Sequence, residues 1–384
     1  MKSKIKKSKK TITFFRPWLS KEDKKQIMIS LNSSTLTDGP KLYEFEKAFA
    51  KFSGAKFAIA VSNATSALHL SIKSLGIGQG DEVIVPDMTF VATANAVMLS
   101  GATPVFADVE KDSMNISIKS VEKMITNKTK AVIPVHFAGR ACNMKEIITL
   151  TKKHHLKIVE DCAHAIGAKI DGKHVGNFGS AGCFSFYPTK NITTIEGGMI
   201  ITNSKKIAEN VTSLRNHGLT KTLMQRYSHG KPWDYDIIQP GYNYRLDEIR
   251  STLGISQLKR IKKINEIRKK IYEYYNKKLE NIEGIITPKS SKKDDHAYHL
   301  YILRINNKNK INRDKLFSKL GKIGIQTTVH YKPLHKFSPF KTIKKDKLKN
   351  SEELYQEILS LPFYPNISTK EQDVVINNII KILK

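Results

Sequence analysis

The sequence predicts an α/β protein, with a largely parallel central sheet flanked by helices and a smaller α+β domain after it. Three observations carry this. From about residue 40 to 216, short apolar runs alternate with stretches of helical periodicity. Polar residues fall repeatedly where the apolar runs end, the position that binds ligands in open sheets. Beyond residue 283 the alternation gives way to a mixture of strand-like and helical segments.

In chain order, residues 1–12 read as a basic, disordered tail. Lys2, Lys4, Lys6, Lys7, Lys9 and Lys10 crowd it, and no apolar stretch follows as a signal peptide requires. Residues 13–250 form the expected large domain. Its strands are predicted at 57–61, 82–86, 104–108, 131–136, 156–161, 182–187 and 199–202, runs rich in Val, Ile and Phe. Helices are predicted between them at 41–52, 64–75, 91–99, 116–125, 144–154 and 204–214. An aromatic, loop-rich stretch covers 227–245. One long basic helix is then predicted from 246 to 279, with Leu253, Ile255, Leu258, Ile261 and Ile264 on its apolar face. Residues 251–384 are assigned to this linker helix and a small C-terminal domain, with a strand at 299–305 and helices at 313–320 and 370–383.

The composition excludes several classes. The 65 basic and 35 acidic residues leave a net charge of +30, a balance that suits nucleic acid or an anionic membrane. The lysines are scattered, however, and form no stripe or recognisable nucleic-acid-binding motif, so no nucleic-acid partner is expected. No apolar run reaches membrane-spanning length. Cys142, Cys162 and Cys183 lack disulfide or metal spacing, which suits a reducing, cytoplasmic setting without a metal.

Chemistry gathers at the predicted strand ends. Lys190 lies just past the run Phe184-Ser185-Phe186-Tyr187, where burial favours the neutral amine of a Schiff-base nucleophile; a surface lysine is the plainer reading. Thr65 and Ser66 stand where a strand gives way to a helix, a site for phosphate or simply a capped helix start. Asp161 ends a hydrophobic strand, suited to a cationic ring nitrogen or, equally, to capping a helix. Phe90 follows another strand, where it can stack on a flat cofactor or belong to the core. His164 alone reads best as a packed or solvated histidine. Together these groups form what pyridoxal 5'-phosphate requires: a lysine, an acid for the pyridinium nitrogen and a phosphate cradle.

The chain resembles the DegT/StrS-type nucleotide-sugar aminotransferases, which are fold-type I pyridoxal-phosphate enzymes. The likeness runs from about Phe15 to the C-terminus. It rests on Thr37-Asp38-Gly39-Pro40, the run from Gly80 to Pro86, Glu160-Asp161, the run from Phe184 to Asn191 and Glu196-Gly197-Gly198. Arg215-Asn216-His217-Gly218, the run from Gly241 to Arg245, and His330-Tyr331-Lys332-Pro333-Leu334-His335 complete it.

The resemblance implies that Lys190 binds the cofactor and carries protons, Asp161 holds the pyridinium nitrogen and Phe90 stacks on the ring. It assigns Thr65, Ser66 and Ser185 to the phosphate and His164 to the phenolic oxygen. Asn243 would reach the phosphate of a neighbouring subunit's cofactor, which implies a homodimer with active sites at its interface. His330 and Tyr331 resemble a motif near the substrate, although a structural turn before Pro333 explains them equally well. The implied reaction takes an amino group from an amino acid, L-glutamate by resemblance, through pyridoxamine phosphate to a nucleotide-diphosphate keto-sugar. It would serve amino-sugar or surface-polysaccharide biosynthesis and leave 2-oxoglutarate. The alternative is a dehydratase of the same family, which carries histidine where this chain has Lys190. Two departures stand out: the basic N-terminus, and Ile195 where many relatives have glycine, which puts the shape of the loop after Lys190 in question.

Overall fold

The computed structural model describes residues 11–221, 225–226, 232–289, 295–306 and 311–384. The first ten residues of the predicted tail, and parts of the 227–245 stretch, lie outside the described residues. Helices α1 (Lys21–Leu31) and α2 (Pro40–Ser53) precede β1 (Phe57–Val61). Strands and helices then alternate as α3 (Ala64–Ser74), β2 (Glu82–Pro86), α4 (Ala92–Leu99), β3 (Thr103–Ala107) and α5 (Ile118–Met124). They continue through β4 (Thr129–Val132), α6 (Met144–Lys153) and β5 (Lys157–Asp161). A short hairpin, β6 (Lys169–Ile170) and β7 (Lys173–His174), leads to β8 (Ala181–Ser185), β9 (Gly198–Thr202) and α7 (Lys205–Leu214).

Seven of these strands form one sheet in the order β1-β9-β8-β5-β4-β2-β3. The pairs β3/β2, β2/β4, β4/β5 and β5/β8 are parallel, while β9 is antiparallel to both β8 and β1. The largely parallel sheet is therefore observed. Strand side chains alternate between two cores, as a period of two requires. Cys183, Val159 and Ile200 join Leu68, Val97 and Val211 on one face, whereas Phe184 joins Phe45, Phe49 and Ile264 on the other.

Four predicted elements differ, one being the strand expected at 299–305, which begins only at Ile302. The strand expected at 131–136 ends at Val132, because Pro134 has no N–H for the ladder. The segment nevertheless stays beside β5, with the Asp161 N–H donating to Pro134 O (2.9 Å) and the His136 N–H to Asp161 O (3.1 Å). The strand expected at 182–187 stops at Ser185, where the Phe186 carbonyl turns to accept from Thr194 N and Thr193 Oγ1. The long helix expected at 246–279 is two helices, α8 (Glu248–Leu258) and α9 (Ile261–Leu279). The break falls where Ser256, Gln257 and Arg260 converge on the fully buried carboxylate of Asp23 in α1.

The rest of the chain adds β10 (Ile285–Ile286), β11 (Ile302–Ile305), α10 (Arg313–Lys322), α11 (Lys349–Glu357), β12 (Ile358–Ser360) and α12 (Thr369–Leu383). The strands β10, β11 and β12 form a small antiparallel sheet over a separate core that includes Tyr275, Tyr301, Leu316 and Val375. Ile12, assigned to the tail by the sequence, is buried in this core and exchanges backbone bonds with Gly324 and Gln326. His335 clasps the C-terminal part to the exit of β2. Its amide donates to Asp87 Oδ1 (3.0 Å), and its ring faces Asp87 Oδ2 (2.8 Å) and Glu352 Oε1 (3.1 Å).

The connection from β8 to β9 holds Ile195 at φ +71°, the left-handed region glycine adopts freely and a β-branched residue does not. The Thr193 hydroxyl, accepting from the Ile195 N–H (2.9 Å), helps fix that conformation. A side chain in this region costs about 1–2 kcal/mol. Glycine gives back about 0.5–1 kcal/mol through the freedom of the unfolded chain. Ile195 is 56% exposed and has little packing to lose. Ile195→Gly is therefore expected to raise stability by about 1 kcal/mol, read as a higher urea midpoint at an unchanged slope.

Candidate active site

The site lies beyond the carboxyl ends of β2, β5 and β8. Lys190 enters it because Pro188 and Thr189 turn the chain immediately after β8, a turn closed by the Lys190 N–H donating to Tyr187 O (2.9 Å). Lys190 keeps part of its surface accessible but is densely surrounded by protein. Desolvation lowers its pKa to about 8, against the opposing pull of the Asp161 charge. Roughly a tenth of such an amine is neutral at pH 7, against well under a thousandth for an ordinary lysine.

Asp161 is the last residue of β5 and is buried. Its Oδ2 accepts from Thr93 Oγ1 (2.9 Å), which is itself 3.0 Å from Thr89 Oγ1, and its Oδ1 accepts from the Ala163 N–H (3.1 Å). Burial raises its pKa, while those bonds and the charge of Lys190 oppose the rise. Turns rather than a helix follow at 163–167, so Asp161 caps no helix.

The start of α3 faces the same region. Asn63 caps it, its Oδ1 accepting from Ser66 N (2.8 Å) and Ser66 Oγ (3.0 Å), with Ser62 Oγ 3.1 Å from Ser66 Oγ. The capping reading is thus realised at Asn63, and Thr65 and Ser66 sit in the first turn. Gly198 lets β9 approach: a Cβ there would lie 2.5 Å from the Asn63 carbonyl. Ser185 is paired with Gly198 at the end of β8. The Ser62 N–H donates to Tyr244 O (2.8 Å), which brings exposed Asn243 to the neighbourhood of this helix start.

Opposite Lys190 stands an aromatic and imidazole wall. His164 Nε2 lies 3.1 Å from the Tyr331 hydroxyl, and its ring packs 4.4 Å from that of His299. His330 Nδ1 lies 2.9 Å from Ser360 Oγ. Burial, then the Lys190 charge, hold His330 near pKa 3 and His164 well below the usual value. Phe90 is 56% exposed, hence not core, with its ring 5.9 Å from that of Tyr331. Thr189 and His330 also line a cavity of about 450 Å³ walled by Phe14, Phe15, Phe317, Gly321 and Thr327.

Lys190, Asp161, His164, His330 and Tyr331 are thus brought together, with Phe90 beside Tyr331, while Thr65, Ser66, Ser185 and Asn243 gather around the start of α3. The sequence reading passed over Thr93 and Thr89, and also His299, which has no motif around it. It also left the role of Glu160 open. That carboxylate points away from the site and accepts from Gly176, Phe178 and Gly179 N–H groups (2.7 Å each), with His136 Nε2 at 3.1 Å. His136 Nδ1 accepts from Cys142 N, so this His136, Glu160 and Cys162 cluster has its imidazole and carboxylate engaged in hydrogen bonds.

Comparison with known proteins identifies the family. The sequence model described as the DegT/DnrJ/EryC1/StrS aminotransferase family matches residues 17–380. The spore coat polysaccharide biosynthesis protein SpsC of Bacillus subtilis is 38% identical over 373 residues, covering 96% of each chain. Helicobacter pylori PseC, an aminotransferase of pseudoaminic acid biosynthesis, superposes with TM-score 0.91 at 33% identity, over 97% of this chain and 99% of PseC. Spr1654 of Streptococcus pneumoniae in its PLP form gives TM-score 0.90 at 28% identity, over 97% of this chain and 98% of Spr1654.

Modification of Lys190 by an amine-selective reagent, followed by peptide mass mapping of the ligand-free protein, should rise with a midpoint near pH 8. Asp161→Asn removes the negative charge that favours the ammonium, so its midpoint is expected lower. A midpoint in the variant at or above that of the parent would contradict this arrangement.

Proposed function

Since the chain belongs to the DegT/DnrJ/EryC1/StrS aminotransferase family and is a pyridoxal-phosphate-dependent sugar aminotransferase of glycan biosynthesis, we propose that it moves the amino group of L-glutamate to a nucleotide-diphosphate keto-sugar, leaving 2-oxoglutarate and an amino sugar. The observation that carries this reading is the pairing of a desolvated Lys190 with a buried Asp161 beside a cavity free of charged side chains.

The residues present fit the cofactor. A buried carboxylate suits a cationic ring nitrogen, exposed Phe90 offers a face to a flat ring, and His164 Nδ1 is buried with no partner among the described residues. Thr65, Ser66 and Ser185, at the start of α3 and the end of β8, would hold the phosphate. Asn243 would reach it from a second copy, in a homodimer. When bound, pyridoxal phosphate supplies a carbonyl carbon that exchanges amino groups and a ring that takes up the electron pair of a broken C–H bond.

The protein's own groups do the rest. Lys190 as neutral amine attacks a carbonyl and, when free, takes a proton from the substrate carbon and returns it in the second half-reaction. Asp161 keeps a ring nitrogen protonated by its charge, with Thr93 and the Ala163 N–H holding the carboxylate in place. The histidines of the wall remain neutral and leave Lys190 as the group that carries the proton.

The cavity beside Lys190 favours the sugar over the donor. Among its lining residues are three phenylalanines, Ile325 and three threonines, but no lysine, arginine or carboxylate. A dicarboxylic donor would find no cationic group there, whereas an uncharged sugar ring needs none. The three unpaired, buried cysteines support a cytoplasmic setting.

Mixing the protein with pyridoxal phosphate and L-glutamate is expected to bleach the visible cofactor band and release 2-oxoglutarate, and adding the keto-sugar to restore it. An unbleached band would contradict glutamate as donor. Gly321 has open space where a Cβ would point and no left-handed φ, so Gly321→Leu fills the cavity without backbone strain. It should raise KM for the keto-sugar about tenfold, or about 1.4 kcal/mol, and alter the glutamate half-reaction little. An equal loss in both half-reactions would remove the sugar from this cavity.

A further inference from the structure

His164 is buried and neutral, so its ring carries one N–H and one lone pair. Nε2 lies 3.1 Å from the Tyr331 hydroxyl, and Nδ1 has no partner among the described residues. A buried polar atom left alone costs free energy, which a native fold accepts where a ligand is to complete it. Which kind of ligand depends on where the proton sits.

The surroundings decide that. The Tyr331 hydroxyl has His164 as its one hydrogen-bond partner among the described residues, and burial with the Asp161 charge keeps it protonated. A phenol is a far better donor than acceptor towards an imidazole nitrogen, so its proton points at Nε2. The ring is also caged. His299 packs on it at 4.4 Å, Phe137 meets it edge-on at 6.1 Å and Tyr331 stacks at 21°. His299 does not compete for Nδ1, because its own Nδ1 faces Asn191 Oδ1 at 3.3 Å. That oxygen is an acceptor, since the Asn191 amide nitrogen donates to Ala297 O and Asn265 Oδ1. The charged and titratable groups around His164 are Lys190, His330, His299, Tyr331 and Asp161.

We infer that Tyr331 is a positioning residue that fixes the tautomer of His164, so that the site presents a buried Nδ1–H donor to an anionic oxygen on the cofactor ring. The assignment of the oxygen rests on the pyridoxal-phosphate reading; the tautomer does not. Tyr331 accordingly acts through His164 and needs no contact with the sugar.

Two measurements test this. In ligand-free protein carrying isotope-labelled histidine, the nitrogen chemical shifts of His164, identified by their loss in His164→Gln, should report a protonated Nδ1. In Tyr331→Phe, which removes only the hydroxyl, they should move towards a mixture of tautomers. An unprotonated Nδ1 in the parent protein overturns the proposal whatever the enzyme turns out to do. In the cofactor-loaded protein, a donor to the ring oxygen favours the form in which the neighbouring imine has lost its proton. Tyr331→Phe should therefore move the pH midpoint of the visible band upward. A glutamine amide donates without help from a tautomer, so the same change in a His164→Gln background should shift the midpoint little. An equal shift in both backgrounds would mean that Tyr331 acts by packing alone.

Discussion

A lysine amine becomes a nucleophile near neutral pH only when its surroundings make the proton costly, and around Lys190 that cost is desolvation. Most other features of the site serve to make that burial tolerable. Among the described residues Asp161 supplies the opposing charge on Lys190, and Thr93 with the Ala163 N–H keeps that carboxylate fixed at the end of β5. The three histidines close by are all held neutral, which avoids adding positive charge beside an ammonium that is already disfavoured.

The sheet order explains how these groups meet. β5 and β8 are parallel neighbours, so Asp161 and the turn carrying Lys190 leave the sheet side by side. β9 turns back antiparallel against β8, and Gly198 at its first position admits the backbone of Asn63 where a Cβ would collide with it. The cavity next to Lys190 is built from further away. Phe14 and Phe15 come from the N-terminal segment and Phe317 from α10, brought together when Ile12 pairs with the chain around Gly324 and Gln326.

What the sequence made legible follows from how local each signal is. The alternation of strands and helices was readable because each period of two or 3.6 is written in consecutive residues. Lys190, Asp161, Phe90 and Thr65 were readable as candidates because each lies at the end of its strand or within a few residues of it. The break between α8 and α9 was not, because it depends on a carboxylate at Asp23 more than 230 positions away. Thr93 and His299 were missed for the same reason: a threonine inside a helix and a histidine in a loop gain meaning only from Asp161 and His164, which folding places beside them. Ile195 was legible as a departure, but only the backbone reveals that the loop keeps the left-handed turn in spite of it.

The most direct measurement is borohydride reduction of the protein loaded with pyridoxal phosphate, followed by mass mapping of the modified peptide. A single phosphopyridoxyl group on Lys190 is the expected result. Attachment to any other lysine of this lysine-rich chain, or none at all, would contradict the site described around Asp161.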